Sequence, residues 1–541
     1  MSKRAQEIIN LEKNLRNGTE MSNFRALWQN TADLMYPREN QIIDQTSPGE
    51  DKTRGIYDPT AIMESQNMAS GLAQNLVPPG QKFFALKTVD MRLRDIESIK
   101  RYLSYVTEIT HDELFASNFM LQLTETLRSL VVFGTGNIFS EYKTKLNYKD
   151  FPIGTYSILE NADGTVDTMI LRFPMTAIQA SEEFENPGKS IVAAMKHEDS
   201  QNNKFDFIHI VRPRKARNVL FSNNMNMPIE SVFVSVIDIE EVDEGGFEEF
   251  PYHVPRWLKS SSEKFGRGQG TEILPQVRVL NRMMSDFIEL GNKLVNPPLQ
   301  VLESFEGDVD VTPGAQNPVM EMNSIGTFNQ NALGNFPVCK DIIEMQRQLV
   351  KDAFFSSAFA PLTDLSGDRR TTLEIRQRVQ ESFKKIGSPI GRIQSELFTP
   401  LISRTVLLLL RNGKIPPPPA ELAGSSFSVE YVGPMSLALK SSEVEASQQW
   451  IGIVGEIEQI SQGAIDNIDF DDAVRRMARA FGVNEEDIAS QEQVDEKRAA
   501  RAKAQAEMQA MQLAQVAGQA YPGATKAPEA GSPAEALMGA K

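Results

Sequence analysis

Residues 266–298 read GRGQGTEILPQVRVLNRMMSDFIELGNKLVNPP, and the order of elements on either side of this stretch decides the fold. Its glycine-rich start predicts a turn that opens a helix from about Thr271 to Val295, and two prolines at 297–298 stop that helix. Before it, from about Asn137 to Leu258, apolar residues recur with a period of two, which predicts an antiparallel, strand-rich insert. After it, from Gln300 to Pro337, we expect short strands and loops.

The chain before the insert is predicted to be helical. Met1 to Asn17 has the mixed charge of an amphipathic helix, and Asp58 followed by Pro59 is a helix-start signal. Apolar residues at three- and four-residue spacing predict helices at about 24–36, 59–77, 92–115 and 121–132.

A second helical block follows residue 337. A helix is predicted from Asp341 to about Phe355, and a loop continues to Arg370. The capping box formed by Thr371 and Glu374 then opens the longest helix of the chain. That helix reaches Arg411, with a kink expected at Gly387 and Pro389, and a strand is expected at 427–432.

The C-terminal part becomes poor in large apolar residues. Ala489 to Ala514 is rich in Ala, Gln, Glu and Lys, which predicts a solvent-exposed or coiled helix. Residues 516–541 are mostly Ala, Gly and Pro, and we expect them to be disordered. The resulting fold class is α+β, mainly helical.

Composition excludes several classes of protein. The single cysteine, Cys339, rules out a disulfide framework. No signal peptide is recognisable, and the most apolar helical run, Leu397–Leu410, is too short for a bilayer and contains Arg404. We therefore expect a soluble, intracellular protein without membrane insertion.

The formal net charge of −16 argues against tight binding of nucleic acid, because such proteins cluster Lys and Arg. One interpretation is that the charge only maintains solubility. The other is a surface that DNA touches but must slide past.

No catalytic, metal or cofactor motif is recognisable, so we expect no enzyme activity and no cofactor. The glycines of 266–270 are similar to a phosphate cradle, but no buried strand precedes them, and a turn that feeds a helix is the better interpretation. His209 alternates with isoleucines in a predicted strand, so a solvent-facing position is expected rather than a metal ligand.

Several phrases of the chain resemble the head-to-tail connectors (portal proteins) of T7-like short-tailed bacteriophages, the podoviruses. They run in order through most of residues 20–440: Ala69–Leu72 with Leu76–Pro79, Phe83–Leu86, Leu130–Gly134, Tyr252–Trp257, Phe265–Gly268, Arg370–Arg376 and Glu396–Leu401. The order of helices, β insert, helix, compact β segment, helix, loop and long helix also resembles the phage portal fold.

The resemblance implies a division into wing, stem, clip and crown regions. The implied bounds are 1–258 for the N-terminal wing, 259–299 for the first stem helix, 300–338 for the clip, 339–357 for the second stem helix, 358–370 for a tunnel loop, 371–440 for the long kinked helix and a returning wing strand, 441–515 for crown helices and 516–541 for a disordered tail.

The resemblance also implies a function. Twelve copies would form a ring at one capsid vertex of the virion, assembled in the cytoplasm of the host bacterium, through which double-stranded DNA passes without sequence recognition. The implied partners are the terminase large subunit, tail adaptor and nozzle proteins, the major capsid and scaffolding proteins, and internal core or ejection proteins.

Site residues follow from the same resemblance. Channel contacts with DNA are expected from Arg347 and Lys351, one turn apart on the second stem helix, and from Arg369 and Arg370 at the loop exit. An ion pair with a neighbouring subunit is an equally good interpretation of each. The tunnel loop would present Phe359, Leu362, Asp364 and Leu365, and the clip would dock motor and adaptors through Phe305, Asp308, Asp310, Asn317, Met320 and Glu321.

Two other classes of function stay open on sequence alone. One is a scaffold or internal core protein without a DNA channel. The other is an enzyme of the packaging machine, such as a nuclease or an ATPase.

Overall fold

A computed structural model describes this chain over residues 2–520, except 45–46, 48, 95, 219–222, 296–298, 302, 304–307, 311–315, 318, 320–324, 328–335, 357–385, 423–425, 434–446, 459–462, 464–465, 467, 481–487 and 490. The structure is 55% helical and 17% strand, which agrees with the α+β, mainly helical class predicted from the sequence.

Helices occupy both ends of the described chain and the middle. They are α1 Lys3–Arg16, α2 Thr19–Met35, α3 Thr60–Leu76, α4 Glu97–Ala116, α5 Phe119–Phe133, α6 Ala177–Glu183, α7 Lys189–Met195, α8 Gln269–Val295, α9 Phe336–Ala353, α10 Gly387–Arg411, α11 447–458, α12 Phe470–Ala480 and α13 Gln491–Ala520. The helix predicted at 271–295 is confirmed, and α13 continues to Ala520, beyond the point where disorder was predicted.

The strands are β1 Phe84–Thr88, β2 Ile138–Tyr142, β3 Leu146–Asp150, β4 Tyr156–Glu160, β5 Val166–Thr176, β6 Lys204–Pro213, β7 Ile229–Ser235, β8 Glu240–Phe247, β9 Tyr252–His253, β10 Leu299–Val301, β11 Ile325–Thr327 and β12 Phe427–Tyr431. Strands β4 to β8 form a five-stranded antiparallel sheet in sequence order, and β3, β2 and β9 form a smaller one. The strand-rich insert is thereby confirmed.

Both faces of the five-stranded sheet are covered. Ala5 and Ile8 of α1 pack on Ile208 and Ile210 of the central strand β6. On the opposite face, Phe184 directly after α6 and Ile191 of α7 pack around Phe207. These two short helices were not predicted from the sequence, although Thr176 and Gln179 form a capping box at the start of α6.

The prediction that the first part of the chain is only helical was wrong at β1. This strand pairs antiparallel with β12, from Phe84 opposite Tyr431 to Thr88 opposite Phe427. Its burial alternates along the strand, with Phe84, Leu86 and Thr88 inside. The five-residue strand was missed because the partner that completes its hydrogen bonds lies at the other end of the chain.

Helix α10 is interrupted by a π turn at Gln394–Phe398, which the sequence did not predict. The kink predicted at Gly387 and Pro389 falls at the start of the described helix, next to residues outside the described part, and stays a prediction. Pro400 lies two residues after the π turn and has no N–H to donate, so a local widening of the helix relieves the missing bond. Pro389 lies in the first turn of the described helix, where a proline is tolerated. Thr371 and Glu374 lie outside the described residues.

The full length of α10 corrects the expectation, drawn from Leu397–Leu410 alone, that this apolar helix is too short to cross a bilayer. By length and composition, the 25 residues of α10 could cross a membrane. However, Leu397, Leu401 and Leu409 are fully buried in the main core, and buried Arg404 donates hydrogen bonds to the backbone oxygens of Ser140 and Glu249. A buried core helix passes the same test of length and composition.

His209 is buried, so the expectation of a solvent-facing position was wrong. Its Nδ1 and Nε2 are each 2.9 Å from a hydroxyl oxygen, those of Tyr252 and Ser231, and its ring stacks on Phe233 at 3.9 Å. Alternation predicts a solvent face only when one face of a sheet is open, whereas β6 is central and covered on both sides.

The burial of His209 predicts a loss of stability in acid. Burial lowers its pKa to about 3 from an ordinary value of 6.5. The unfolded chain therefore binds a proton below about pH 6.5 while the folded chain stays neutral, so the free energy of unfolding falls as the pH drops towards 3. Replacing His209 with Gln should reduce the change in unfolding free energy between about pH 7.5 and about pH 5 by roughly 2 kcal/mol, measured by urea unfolding.

The exposed His197 provides the control for this experiment. His197→Gln should keep the pH dependence of the wild type. An identical pH dependence in the His209→Gln protein would contradict the prediction.

Candidate functional site

Helices α8 and α9 are the two helices predicted to form the stem, and they pack against each other. The chain runs out along α8, through the antiparallel β10–β11 pair, and back along α9. The 27 residues of α8 correspond to a length of about 40 Å. Leu274, Val277 and Leu280 near its start are buried in the main core, as are Val350 and Phe354 at the end of α9. One end of the pair is thus embedded in the body of the protein.

Polar contacts fasten this embedded end to the start of α3. The amide oxygen of Asn281 accepts hydrogen bonds from the backbone N–H groups of Tyr57 (2.7 Å) and Asp58 (3.3 Å), and its amide nitrogen donates to the carbonyl of Gly55 (2.9 Å). On α9, Arg347 Nε donates to Asp58 Oδ2 at 2.9 Å. Both helices are therefore tied to the same short segment, 55–58.

A second contact ties the segment directly after α9 to α3. It is made by Ser356, the last described residue before the gap at 357–385. The Ser356 hydroxyl donates to a carboxylate oxygen of Glu64 on α3 at 2.7 Å. Phe355 has a positive φ of 52°, which is uncommon for a residue with a side chain. The backbone thus turns sharply where α9 ends.

The glycine-rich start of α8 meets the end of α5. A Cβ atom on Gly268 would lie 2.5 Å from the backbone nitrogen of Gly134 and 2.6 Å from the carbonyl oxygen of Val131. Gly266 and Gly270 are equally close to the backbone of residues 132–134. We call these four residues, Gly134, Gly266, Gly268 and Gly270, the glycine junction. Backbone fills the space beside its glycines, which supports the structural interpretation of this motif over a phosphate cradle.

A buried arginine connects the segment before α8 with α10 and the five-stranded sheet. Arg256 is 2% exposed and holds Glu396 of the π turn with two side-chain hydrogen bonds, at 2.8 and 3.2 Å. The same guanidinium bonds Glu160 at the end of β4 and the carbonyls of Gly164 and Lys264. Arg256 could not be predicted as an anchor from the sequence, because Glu160 and Glu396 lie 96 and 140 residues away.

The structure describes only part of the predicted channel residues. Arg347 lies on α9 with its guanidinium bound to Asp58, and these hydrogen bonds raise the pKa of Arg347 above its usual value. Arg347 therefore forms an ion pair within its own chain, whereas the interpretation from the sequence was an ion pair with a neighbouring subunit. Lys351, one turn further along, is half-buried. Arg369 and Arg370 lie outside the described residues, as do all the tunnel-loop residues, Phe359, Leu362, Asp364 and Leu365.

The structure also describes only some of the predicted clip residues, namely Asp308, Asp310 and Asn317. The Asp310 backbone nitrogen donates to the side-chain oxygen of Asn317 at 2.8 Å, and the Asn317 amide donates back to the Asp310 carbonyl at 2.7 Å. Asp308 and Asp310 are exposed. Phe305, Met320 and Glu321 lie outside the described residues.

No cluster of three or more His, Cys, Asp or Glu side chains is placed to hold a metal ion within the part of the chain that the structure describes. The arrangement of the described site is mechanical: a long helix pair whose near end is fastened by hydrogen bonds, ion pairs and close backbone packing.

The Arg347–Asp58 pair should couple the stability of α9 to that of α3. Asp58 is almost fully buried, so loss of its cation leaves a carboxylate that water cannot reach. A double-mutant cycle with Arg347→Ala and Asp58→Asn should give a coupling energy of about 1–3 kcal/mol in urea unfolding. Asparagine keeps the acceptor for the Thr60 backbone N–H, which Asp58 now bonds at 2.9 Å.

The exposed pair of Arg282 and Asp286 on α8 is a matched control. Its cycle should give about 0.3–0.5 kcal/mol. An equally small value for Arg347 and Asp58 would show that the pair does not anchor the helix.

Comparisons with known proteins agree with the resemblance seen in the sequence. The chain is 28% identical over 512 residues to the portal protein of Salmonella phage epsilon15, which covers 92% of each chain. It is 24% identical over 486 residues to a probable portal protein of Bordetella phage BPP-1, covering 88% of this chain and 87% of that protein. Identity to the portal protein of Pseudomonas phage phiKMV is 18% over 379 residues, or 66% of this chain and 70% of that protein.

A family model described as "Bacteriophage head to tail connecting protein" matches residues 6–488, which include the sheet, the helix pair, α10 and α12. Because this match spans most of the sequence, the chain belongs to the family of bacteriophage head-to-tail connecting proteins.

Proposed function

We propose that this chain is the portal subunit of a phage, and that twelve copies form a closed ring at one capsid vertex through which the genome is packaged and ejected. The observation that carries the proposal is the family match over residues 6–488. Helices α8 and α9 support it, because a long helix pair anchored at one end suits the wall of a channel.

The regional assignment is part of the proposal. Helices α8 and α9 form the stem, and the elements around the five-stranded sheet form the wing. The clip is the segment between the two helices; it was predicted as 300–338, but its last three residues belong to α9, which begins at Phe336. The exposed Asp308 and Asp310 of the clip dock the terminase large subunit during packaging, and tail adaptor and nozzle proteins afterwards. Residues 358–370 form the tunnel loop, and the helices after residue 440 form a crown that faces the internal core proteins.

The net negative charge of the chain, −16, is compatible with a channel through which DNA passes. A cyclic ring repeats each side chain once per subunit around the axis, so one acidic residue becomes a belt of negative charge. Such a belt repels phosphate and keeps the DNA from adhering to the wall. A few basic positions contact the DNA backbone without reading its sequence. Lys351 is a better candidate than Arg347, whose charge is neutralised by Asp58 within the subunit.

Electron microscopy of the purified, negatively stained protein tests the ring. We expect closed rings with a central hole and twelvefold symmetry. A scaffold or core protein would give other particles, and their exclusive presence would refute the proposal. Metal-dependent DNA cleavage or nucleotide turnover would instead support a packaging enzyme.

A phage complementation assay tests the conduit. Reversing the charge of Arg369 and Arg370 to Glu should reduce packaged or retained DNA while rings still form. The matched control is charge reversal of Lys215 and Arg217, two exposed cations beyond β6, which should leave packaging unchanged. If reversal of Arg369 and Arg370 leaves packaging and retention as normal as reversal of the control pair does, the channel role of Arg369 and Arg370 is refuted.

A further inference from the structure

Helix α9 has two apolar faces, and within the described residues only one of them is covered. Ile343, Val350 and Phe354 are at most 4% exposed and pack into the main core. The other face carries Val338, Ile342, Met345 and Leu349, which are 56%, 38%, 56% and 46% exposed. We call these four residues the outer seam. A strip of four large, exposed apolar side chains on one helix indicates a surface that another protein covers.

The spacing of the outer seam indicates what kind of surface covers it. The intervals are four, three and four residues, which is the repeat that one helix uses to pack along another in a coiled coil. At about 100° per residue the four side chains fall within a stripe roughly 60° wide and about 16 Å long. Such a stripe suits a helix. It does not suit DNA, whose backbone requires polar and charged partners.

Helix α8 carries a second exposed apolar set. Ile288 and Val295 are 41% and 78% exposed, lie seven residues apart and therefore share one face. Gly291 lies between them, and a Cβ atom built on it would have no neighbour within 4 Å. This face thus offers two apolar side chains with a gap between them, into which a side chain of another helix can fit.

A ring of identical subunits needs two different surfaces that fit each other, and α8 and α9 supply them. Rotation about the ring axis keeps every residue at its own height along that axis. Arg347 contacts Met284, which places these two residues at about the same height on the pair. From this contact, both helices run away from the embedded end with a rise of about 1.5 Å per residue. Ile342 is then level with Ile288, and Val338 is level with the turn before Val295.

Charges at the inner end of the outer seam agree with this register. Exposed Asp352 continues the seam one turn beyond Leu349, at about the height of Val279 on α8. The next residue on α8, Arg278, is exposed and has no carboxylate partner within the described part of its own chain. In a ring, the Asp352 carboxylate of one copy and the Arg278 guanidinium of the next are therefore at matching heights with opposite charge.

We propose that the outer seam of α9 packs against α8 of the next copy in the ring, with Ile342 and Val338 against Ile288 and Val295, and Asp352 beside Arg278. This inference rests on the proposed ring and names the surfaces that close it in the stem. Because the surfaces differ, each copy uses its α9 towards one neighbour and its α8 towards the other.

Charged substitutions in the outer seam test the proposal. In the full chain, Ile342→Glu combined with Met345→Glu should reduce the fraction of protein in rings at least tenfold, measured by mass photometry and negative-stain microscopy. The circular dichroism of the monomer should be unchanged, because both side chains are exposed. Val192→Glu on α7 with Met225→Glu between β6 and β7, two exposed apolar residues beside the five-stranded sheet, should leave ring formation intact. Wild-type yield of rings from the seam variant would overturn the proposal.

A charge exchange tests the register independently of folding. Asp352→Arg alone and Arg278→Asp alone should each weaken ring closure, and the two together in one chain should restore it. Failure of the combined variant to recover rings would overturn the assigned pairing. Absence of rings from the wild-type protein would refute the proposed function itself, whereas rings that tolerate all these variants would refute only the interface.

Discussion

Replacing Arg256 with Met is expected to lower the free energy of unfolding by about 3–5 kcal/mol, because the substitution leaves two carboxylates without their shared cation. Glu160 and Glu396 both bind the Arg256 guanidinium, and their side chains are only 17% exposed. The carbonyls of Gly164 and Lys264 lose a donor at the same time. Methionine has a similar length, so the loss reports the missing charge and hydrogen bonds more than a cavity.

Arg392 provides the control for this substitution. It reaches the same Glu396, but at 3.6 Å and with 35% of its side chain exposed. Arg392→Met should cost less than about 1 kcal/mol, because an exposed ion pair is screened by water. Guanidinium-induced unfolding followed by circular dichroism measures both. A loss below about 1 kcal/mol for Arg256→Met would show that the buried cluster does not hold α10 against the sheet.

Gly134→Ala is expected to destabilise the protein by about 3 kcal/mol or more, for two separate reasons. Gly134 has a φ of 93°, a left-handed conformation that costs roughly 1–2 kcal/mol for a residue with a Cβ atom. The new Cβ would also lie 2.3 Å from the backbone of Arg267 and Gly268 in the glycine junction. Backbone cannot rotate away as a side chain does, so α5 and the start of α8 must separate.

Two other glycines isolate these contributions. Gly80 has a positive φ of 73°, and a Cβ atom added to it would have no neighbour within 4 Å, so Gly80→Ala should show the conformational cost alone. Gly391 lies in α10 with neither constraint, and Gly391→Ala should stabilise the protein by about 0.5–1 kcal/mol. Equal effects of Gly134→Ala and Gly80→Ala in chemical unfolding would show that the close approach at the junction can relax.

The predictable part of the fold is the part written in short-range patterns. Helix α8 begins at Gln269, two residues before the predicted start, and ends at Val295 as predicted. Helix α5, predicted at about 121–132, ends at Phe133, and Gly134 follows it in the left-handed conformation that is common at helix ends. The β4–β5 hairpin follows from the alternation on each side of its turn at Gly164. In each case the atoms that stabilise the element lie within a few residues of each other.

The anchors of the helix pair could not be predicted in the same way. Arg347 was singled out for its charge, but its partner Asp58 lies 289 positions away and only the folded chain brings them together. The exposed outer seam of α9 was also missed, because its period resembles that of the buried face. Only the packing of α9 against the core shows which of its two apolar faces is covered.

The sequence by itself determined the main helical blocks, the strand-rich insert between them, the net negative charge and the resemblance to phage connectors, since periodicity, caps and local phrases are properties of neighbouring residues. The tertiary structure alone decided that β1 pairs with β12, that His209 is buried, and that Arg256 and the glycine junction fasten the helix pair. Each of these depends on residues far apart in sequence, whose hydrogen bonds and close contacts form only when the whole chain packs.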